Sequence, residues 1–139
     1  MHTKKLFLLP LLLMLVGALC ACGAVPDGDV SKAERVIENN TLYSEDEISD
    51  AMTIVEQTFH QEFKGCKLLN LRYDEERSKQ EAEYWLEEAD EAIVLLSDFH
   101  VSANGGDGSL NQNSDYTDWS WILLRKNGGA WTLRTWGYG

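Results

Sequence analysis

Apolar positions divide this chain into a leader and a periodic region. Leu6–Leu19 is a nearly unbroken apolar run behind Lys4 and Lys5. Its 14 residues include Pro10, whereas a spanning helix needs about 20 apolar residues, so the run reads as the core of a signal peptide, residues 1–21. From Ser31 onward the rhythm is that of a single α+β domain, residues 31–139. Ser31/Glu34, Ser44/Glu47 and Ser78/Glu81 each match the capping box, in which serine and glutamate satisfy orphan backbone donors at a helix start. They predict helices over about 32–39, 45–63 and 78–89. The second is the main helix. Its Ile48, Ala51, Met52, Val55, Phe59 and Phe63 follow the spacing of one apolar face, and Gly65 suits its end. The third is acidic, with Ala82, Trp85 and Leu86 as a narrow apolar stripe.

Strands fill the intervals. Cys66–Tyr73 places Leu69, Leu71 and Tyr73 on one face, and Ala92–Val101 is a longer apolar run. A polar loop, 102–116, leads to two β-rich runs around Asn127-Gly128-Gly129, and Asn-Gly in that setting is the strongest short hairpin signal. The predicted order is α-α-β-α-β-β-β, an antiparallel four-stranded sheet packed on a long helix. Residues 22–30 read as a tether ahead of the domain.

The leader ends in Leu19-Cys20-Ala21-Cys22. This ending resembles a bacterial lipobox, which implies cleavage before Cys22, lipidation of its thiol and anchoring at the outer face of the cell membrane. Leu19 is too large for the position before a cleaved bond, which disfavours Cys20 as the modified residue. Loss of residues 1–21 removes Lys4 and Lys5, leaving ten basic against 23 acidic residues and a net charge of −13. That charge repels phosphate backbones, so nucleic acid is not an expected partner, whereas basic peptides and cations are compatible. Residues 27–98 hold 20 of the acids against seven bases, and solvated helix faces account for them most simply. Cys66 is then the one unmodified cysteine, which rules out an intramolecular disulfide and predicts a small buried hydrophobe.

The element order, Tyr43-Ser-Glu-Asp-Glu, Val94-Leu-Leu-Ser-Asp-Phe99 and the closing Trp119-Ser-Trp-Ile-Leu-Leu-Arg-Lys-Asn-Gly-Gly-Ala-Trp131 with Trp136-Gly-Tyr138 together resemble a family of small lipoproteins of Gram-positive, clostridial-type bacteria. The resemblance spans most of residues 43–139. It implies a cystatin-like or nuclear-transport-factor-2-like roll. It implies no catalytic residues, and such a fold hosts both enzymes and non-catalytic modules.

Candidate chemistry is sparse. With Asn127-Gly128 as a two-residue turn, Leu124 opposes Trp131 and Ile122 opposes Leu133 on the helix-facing side. Trp119 then opposes Trp136, and Trp121 opposes Arg134, on the other side. Those four residues form a candidate platform for a glycan, a peptide or a second copy of the chain, because an arginine over an indole adds a cation–π attraction. A bulged turn regroups them. Asp98 and His100, two apart on one strand, are a candidate acid–base pair, with Tyr73 as a further lining residue, although they stand about 7 Å apart along a strand. His60 reads as a solvated residue on the flank of the main helix. Asp107, Ser109, Asn111, Asn113, Asp115 and Asp118 place oxygens at alternating positions with a twelfth-position acid, as a calcium loop does. Gln112 stands where such a loop needs glycine, and the flanks read as strands. No zinc spacing or phosphate-binding glycine loop occurs, so no cofactor is expected. These observations favour a non-catalytic, membrane-anchored binding module. The alternative is a small hydrolase or isomerase with a pocket between helix and sheet.

Overall fold

The main helix starts where its pattern puts it. In the computed structural model, which describes residues 23–138, Ser44 Oγ accepts from the Glu47 N–H at 3.2 Å and Glu47 accepts in return from the Ser44 N–H at 2.8 Å. The signal peptide and Cys22 lie outside the described residues. The elements are β1 (Glu34–Glu38), α1 (Glu45–Glu62), β2 (Cys66–Asp74), α2 (Glu75–Ala82), a 3-10 turn (Glu83–Trp85), β3 (Glu91–Val101), β4 (Ser114–Arg125) and β5 (Thr132–Gly137). Among the described residues, no helix is long and apolar enough to cross a membrane.

The sheet has five strands in the order β1-β2-β3-β4-β5 and is mixed, not four-stranded and antiparallel. Its extra member is β1, which the Ser31/Glu34 pattern predicts as a helix. Five residues rich in β-branched Val36 and Ile37 instead pair in parallel with Asn70–Asp74. Ser31 is no N-cap: its N–H and Oγ both donate to the Asp29 carboxylate, at 2.9 and 2.6 Å. Parallel neighbours need a long crossover, and α1 supplies it. The third capping box also fails. Asp74 caps α2 by accepting from the Glu76 and Arg77 N–H groups, so the helix starts at Glu75, while buried Ser78 accepts from the Val94 N–H at 2.9 Å.

Both faces of the sheet are covered at one end. Ile48, Ala51, Met52, Val55 and Phe59 of α1 are fully buried and meet Ile93, Leu95, Phe99 and Val101 of β3 in the main core. The intervening Ala92 and Val94 pack with Ala82 of α2 and Ile122, flanked by Trp85 and Leu124. A strand covered on both sides has little reason to alternate, which is why Ala92–Leu96 is continuously apolar. Beyond Leu96 the α2 side opens, and Asp98 and His100 appear there.

The segment read as a tether is docked from Pro26 onward. Pro26 O accepts from the Gly65 N–H at 2.8 Å, the Gly28 N–H donates to His60 O at 3.0 Å, and Asp29 exchanges backbone bonds with Cys66 and Leu68 at 2.9 Å each. Gly28 permits this approach, since a Cβ there would stand 2.2 Å from the Phe59 carbonyl oxygen.

Candidate functional site

The hairpin decides which aromatic groups meet a ligand. Asn127 and Gly128 take φ of 54° and 64°, and the Gly129 N–H donates to Lys126 O at 3.0 Å, the two-residue turn that Asn-Gly favours. The register beyond the turn differs from the expected one. Leu124 faces Thr132 in place of Trp131, and after a further shift Ile122 faces Thr135 and Trp121 faces Trp136. The returning arm therefore gains one residue between the turn and Thr132 and a second at Arg134, and each gain turns its side chains over. The predicted platform is regrouped as a result. Trp119, Trp121 and Trp136 share the α1 side, where Trp121 is fully buried and donates through Nε1 to Ser97 Oγ at 2.8 Å. Arg134 projects to the other side, donates to Glu88 at 2.8 Å and lies 5.4 Å from the Trp85 ring centre.

Only the outer part of this aromatic cluster is open. Trp136 is 40 % exposed beside Trp121 (ring centres 5.6 Å apart), and Tyr138 packs edge-on against Trp119 at 5.0 Å. Between them and the end of α1 lies a cavity of about 190 Å³. Phe63, Leu110, Trp119 and Trp136 give it apolar walls, with Glu62, Lys64, Asp107 and Ser109 as polar lining. Its loop wall is fixed by backbone bonds: the Gly106 N–H donates to Lys64 O at 3.1 Å and the Ser102 N–H to Gly65 O at 3.0 Å. Gly65 and Gly105 allow the close crossing, because a Cβ on Gly105 would stand 2.4 Å from Gly65 O. Asp107 accepts from Ser109 N and Oγ, and these bonds hold its carboxyl below the usual carboxylate range. Lys64 is paired with Asp27. The buried Trp119 Nε1–H has no acceptor among the described residues. Leaving such a donor unmet costs roughly 1–3 kcal/mol.

The candidate acid–base residues do not assemble. Asp98 does not bond His100. Its carboxylate accepts from Asn70 at 2.9 Å, Arg72 at 2.8 Å and the Asp118 N–H at 3.0 Å, and Arg72 also pairs with Asp118 at 2.6 Å. Bulges in β2 and β4 flank Asp98 and bring these groups in. His100 faces Asp115 across the strands, Nδ1 to Oδ1 at 2.6 Å, with both side chains largely in solvent. Tyr73 is buried on the α1 side of the sheet, and burial, with nearby Glu75, pushes its phenol well above the usual range. His60 sits near Gly28 and Asp27, its Nδ1 2.9 Å from Gly28 O. Cys66 is buried, which pushes its thiol up and removes it from nucleophilic duty.

The calcium alternation does not converge either. Asp107 is turned to Ser109, Asp115 to His100 and Asp118 to Arg72, and Asp118 occupies a left-handed bulge at φ 53°. No group of three His, Cys, Asp or Glu side chains among the described residues is set to hold a metal ion.

A second cluster had no signal in the sequence beyond its separate charges. Arg125, 11 % exposed, bridges Glu47 at 2.8 Å and Glu91 at 2.5 Å and lies 4.3 Å from the Trp131 ring centre. These acids hold the guanidinium far above any pH of interest, so the cluster is a clamp between the start of α1 and the hairpin.

No protein-family model, curated protein or solved structure matches this chain.

Proposed function

We propose that this protein is a lipid-anchored, extracytoplasmic binding module without catalytic activity, and that its site is the cavity walled by Phe63, Leu110, Trp119 and Trp136. The carrying observation is the contrast between two clusters. Apolar walls with a small number of polar groups are the usual make-up of a ligand site, and the cavity combines Phe63, Leu110, Trp119 and Trp136 with the exposed Glu62, Lys64, Asp107 and Ser109. The Asp98 and His100 groups are satisfied by separate partners on an open sheet face. A bulged sheet packed on α1 supports the finer reading as a cystatin-like or nuclear-transport-factor-2-like roll, with the parallel β1 and α2 on the opposite face as departures. The lipoprotein resemblance supports anchoring through Cys22. Val25 packs beside Gly65, close to the cavity wall, and three residues span at most about 11 Å. A lipid on Cys22 would hold the site near the membrane surface.

Two measurements test the two halves. Cys22→Ser should release the protein from the membrane or stall processing; normal cleavage with unchanged detergent partition contradicts the anchor. Amide and indole NMR shifts on adding cyclohexanol, phenol or imidazole should map to Leu110, Trp119 and Trp136. Shifts centred on His100 and Asp115 would favour the hydrolase or isomerase reading, which the 2.6 Å His100–Asp115 contact alone recommends.

A further inference from the structure

Exposed apolar side chains gather at the end of α1, where the chain enters the domain. Val25, Trp136 and Tyr138 are all exposed there. Val25 packs beside Gly65, two residues after Phe63. The Phe63 ring lies 6.1 Å from that of Trp136, and Tyr138 stands edge-on to Trp119 at 5.0 Å. Tyr84 extends the patch around β5, where it lines a shallow groove with Trp136 and Tyr138. A contiguous exposed apolar patch marks an interaction surface. Its residue types narrow the partner. Tryptophan and tyrosine, each with an apolar body and a polar tip, are enriched where protein meets the headgroup level of a membrane.

The point of entry selects among the exposed patches. Cys22, with its proposed lipid, precedes Val25 by three residues, a span of at most about 11 Å. Leu42 and Leu86 are exposed too, but they flank Tyr43 just ahead of the start of α1. α1 has 18 residues and is about 27 Å long, which puts that pair beyond the anchor's reach. The aromatic end lies within it. A short tether holds two surfaces at an effective concentration on the order of millimolar, so even a weak contact is well populated once the lipid is inserted. Charge sets the choice of lipid. Asp27, Glu62 and Asp107 stand around this end against Lys64, which disfavours anionic headgroups relative to zwitterionic ones. We infer that the end of the domain bearing Val25, Trp136 and Tyr138 docks on the headgroup region of the bilayer that holds the anchor. The docking rests on the Cys22 anchor proposed above and not on what fills the cavity.

The test uses the processed protein, purified from bacterial membranes and reconstituted into phosphatidylcholine vesicles whose acyl chains carry bromine either near the headgroup or near the bilayer centre. Bromine quenches indole emission on close approach. With one tryptophan in five at the interface, about a fifth of the emission should be lost, and more with shallow bromine than with deep. Trp136→Phe should remove most of that quenching. Trp131→Phe should leave it in place, because the Trp131 Nε1–H is bonded to Glu47 O at 3.0 Å near the other end of α1. Replacing phosphatidylcholine by phosphatidylglycerol should weaken the quenching. Protein that co-floats with the vesicles yet shows no bromine quenching would overturn the docking and leave the anchor standing. Protein that neither co-floats nor is quenched would overturn both. A doubled mass by cross-linking, with Trp136 shielded but not quenched, would assign the face to a second copy and overturn the docking.

Discussion

Replacing Trp121 by alanine separates the observed register of the hairpin from the expected one. Trp121 is fully buried, with ring centres 5.3 Å from Phe63 and 6.4 Å from Phe59, and its N–H is bonded to a fully buried serine. Truncating a core tryptophan costs about 3–5 kcal/mol through lost transfer energy and the cavity left behind. Orphaning the Ser97 hydroxyl adds roughly 1 kcal/mol. Trp136 sits on the same side but is 40 % exposed and makes no such bond, so Trp136→Ala should cost about 1–2 kcal/mol. Urea denaturation followed by far-ultraviolet circular dichroism reads the difference directly. With a slope of about 2 kcal/mol per molar, the midpoint should fall by about 2–3 M for Trp121→Ala and by about 0.5–1 M for Trp136→Ala. Because domains of this size hold only about 5–15 kcal/mol, the first variant is expected to be marginal and Trp121→Phe to be intermediate. Equal shifts for the two alanine variants, or a larger one for Trp136, would return Trp121 to an open face.

Three further outcomes follow from the packing. Gly28→Ala forces a methyl group against the Phe59 carbonyl and should destabilise by about 1–3 kcal/mol, visible as faster proteolytic nicking ahead of β1; unchanged nicking would mean the segment is not docked. Arg125→Ala leaves Glu47 and Glu91 facing each other without their cation and should cost about 3 kcal/mol or more by urea midpoint, with Arg125→Lys recovering part because it lacks the planar fork. Burial tends to raise the Asp98 carboxyl, but hydrogen bonds from Asn70, Arg72 and the Asp118 N–H outweigh it and hold it below its ordinary value. A depressed native value stabilises fully above the unfolded value of about 3.9 and is lost as pH falls through the native one. Asp98→Asn should therefore flatten the acid limb of the stability–pH curve below about pH 4, and an unchanged limb would contradict the network.

Local signals were readable and pairings were not. Ser44, Glu47 and the Ile48–Phe59 stripe act within one helix, so the sequence pattern identifies α1. Asn127-Gly128 likewise fixes its own turn, because both residues tolerate positive φ. Val36 and Ile37 follow the Ser31/Glu34 capping match, yet they lie in β1 because β2, some 35 residues on, offers a ladder that no local pattern encodes. The capping box at Ser78 loses to Asp74, one turn earlier, which bonds two N–H groups at once. The bulges are the least visible feature. Two extra residues, one between the turn and Thr132 and one at Arg134, sort the tryptophans, burying Trp121 and sending Arg134 to the far side, and no glycine or proline marks the second. Trp119 and Trp136 were therefore readable as binding candidates, while the Phe63 and Leu110 walls depend on the loop after β3 folding onto the end of α1.

A crystal structure of the protein soaked with phenol would show whether the cavity is a binding site. Density for one phenol ring is expected against Phe63, Leu110 and Trp136. An empty cavity at saturating ligand, or a ring bound instead on the open face beside Asp98 and His100, would contradict it.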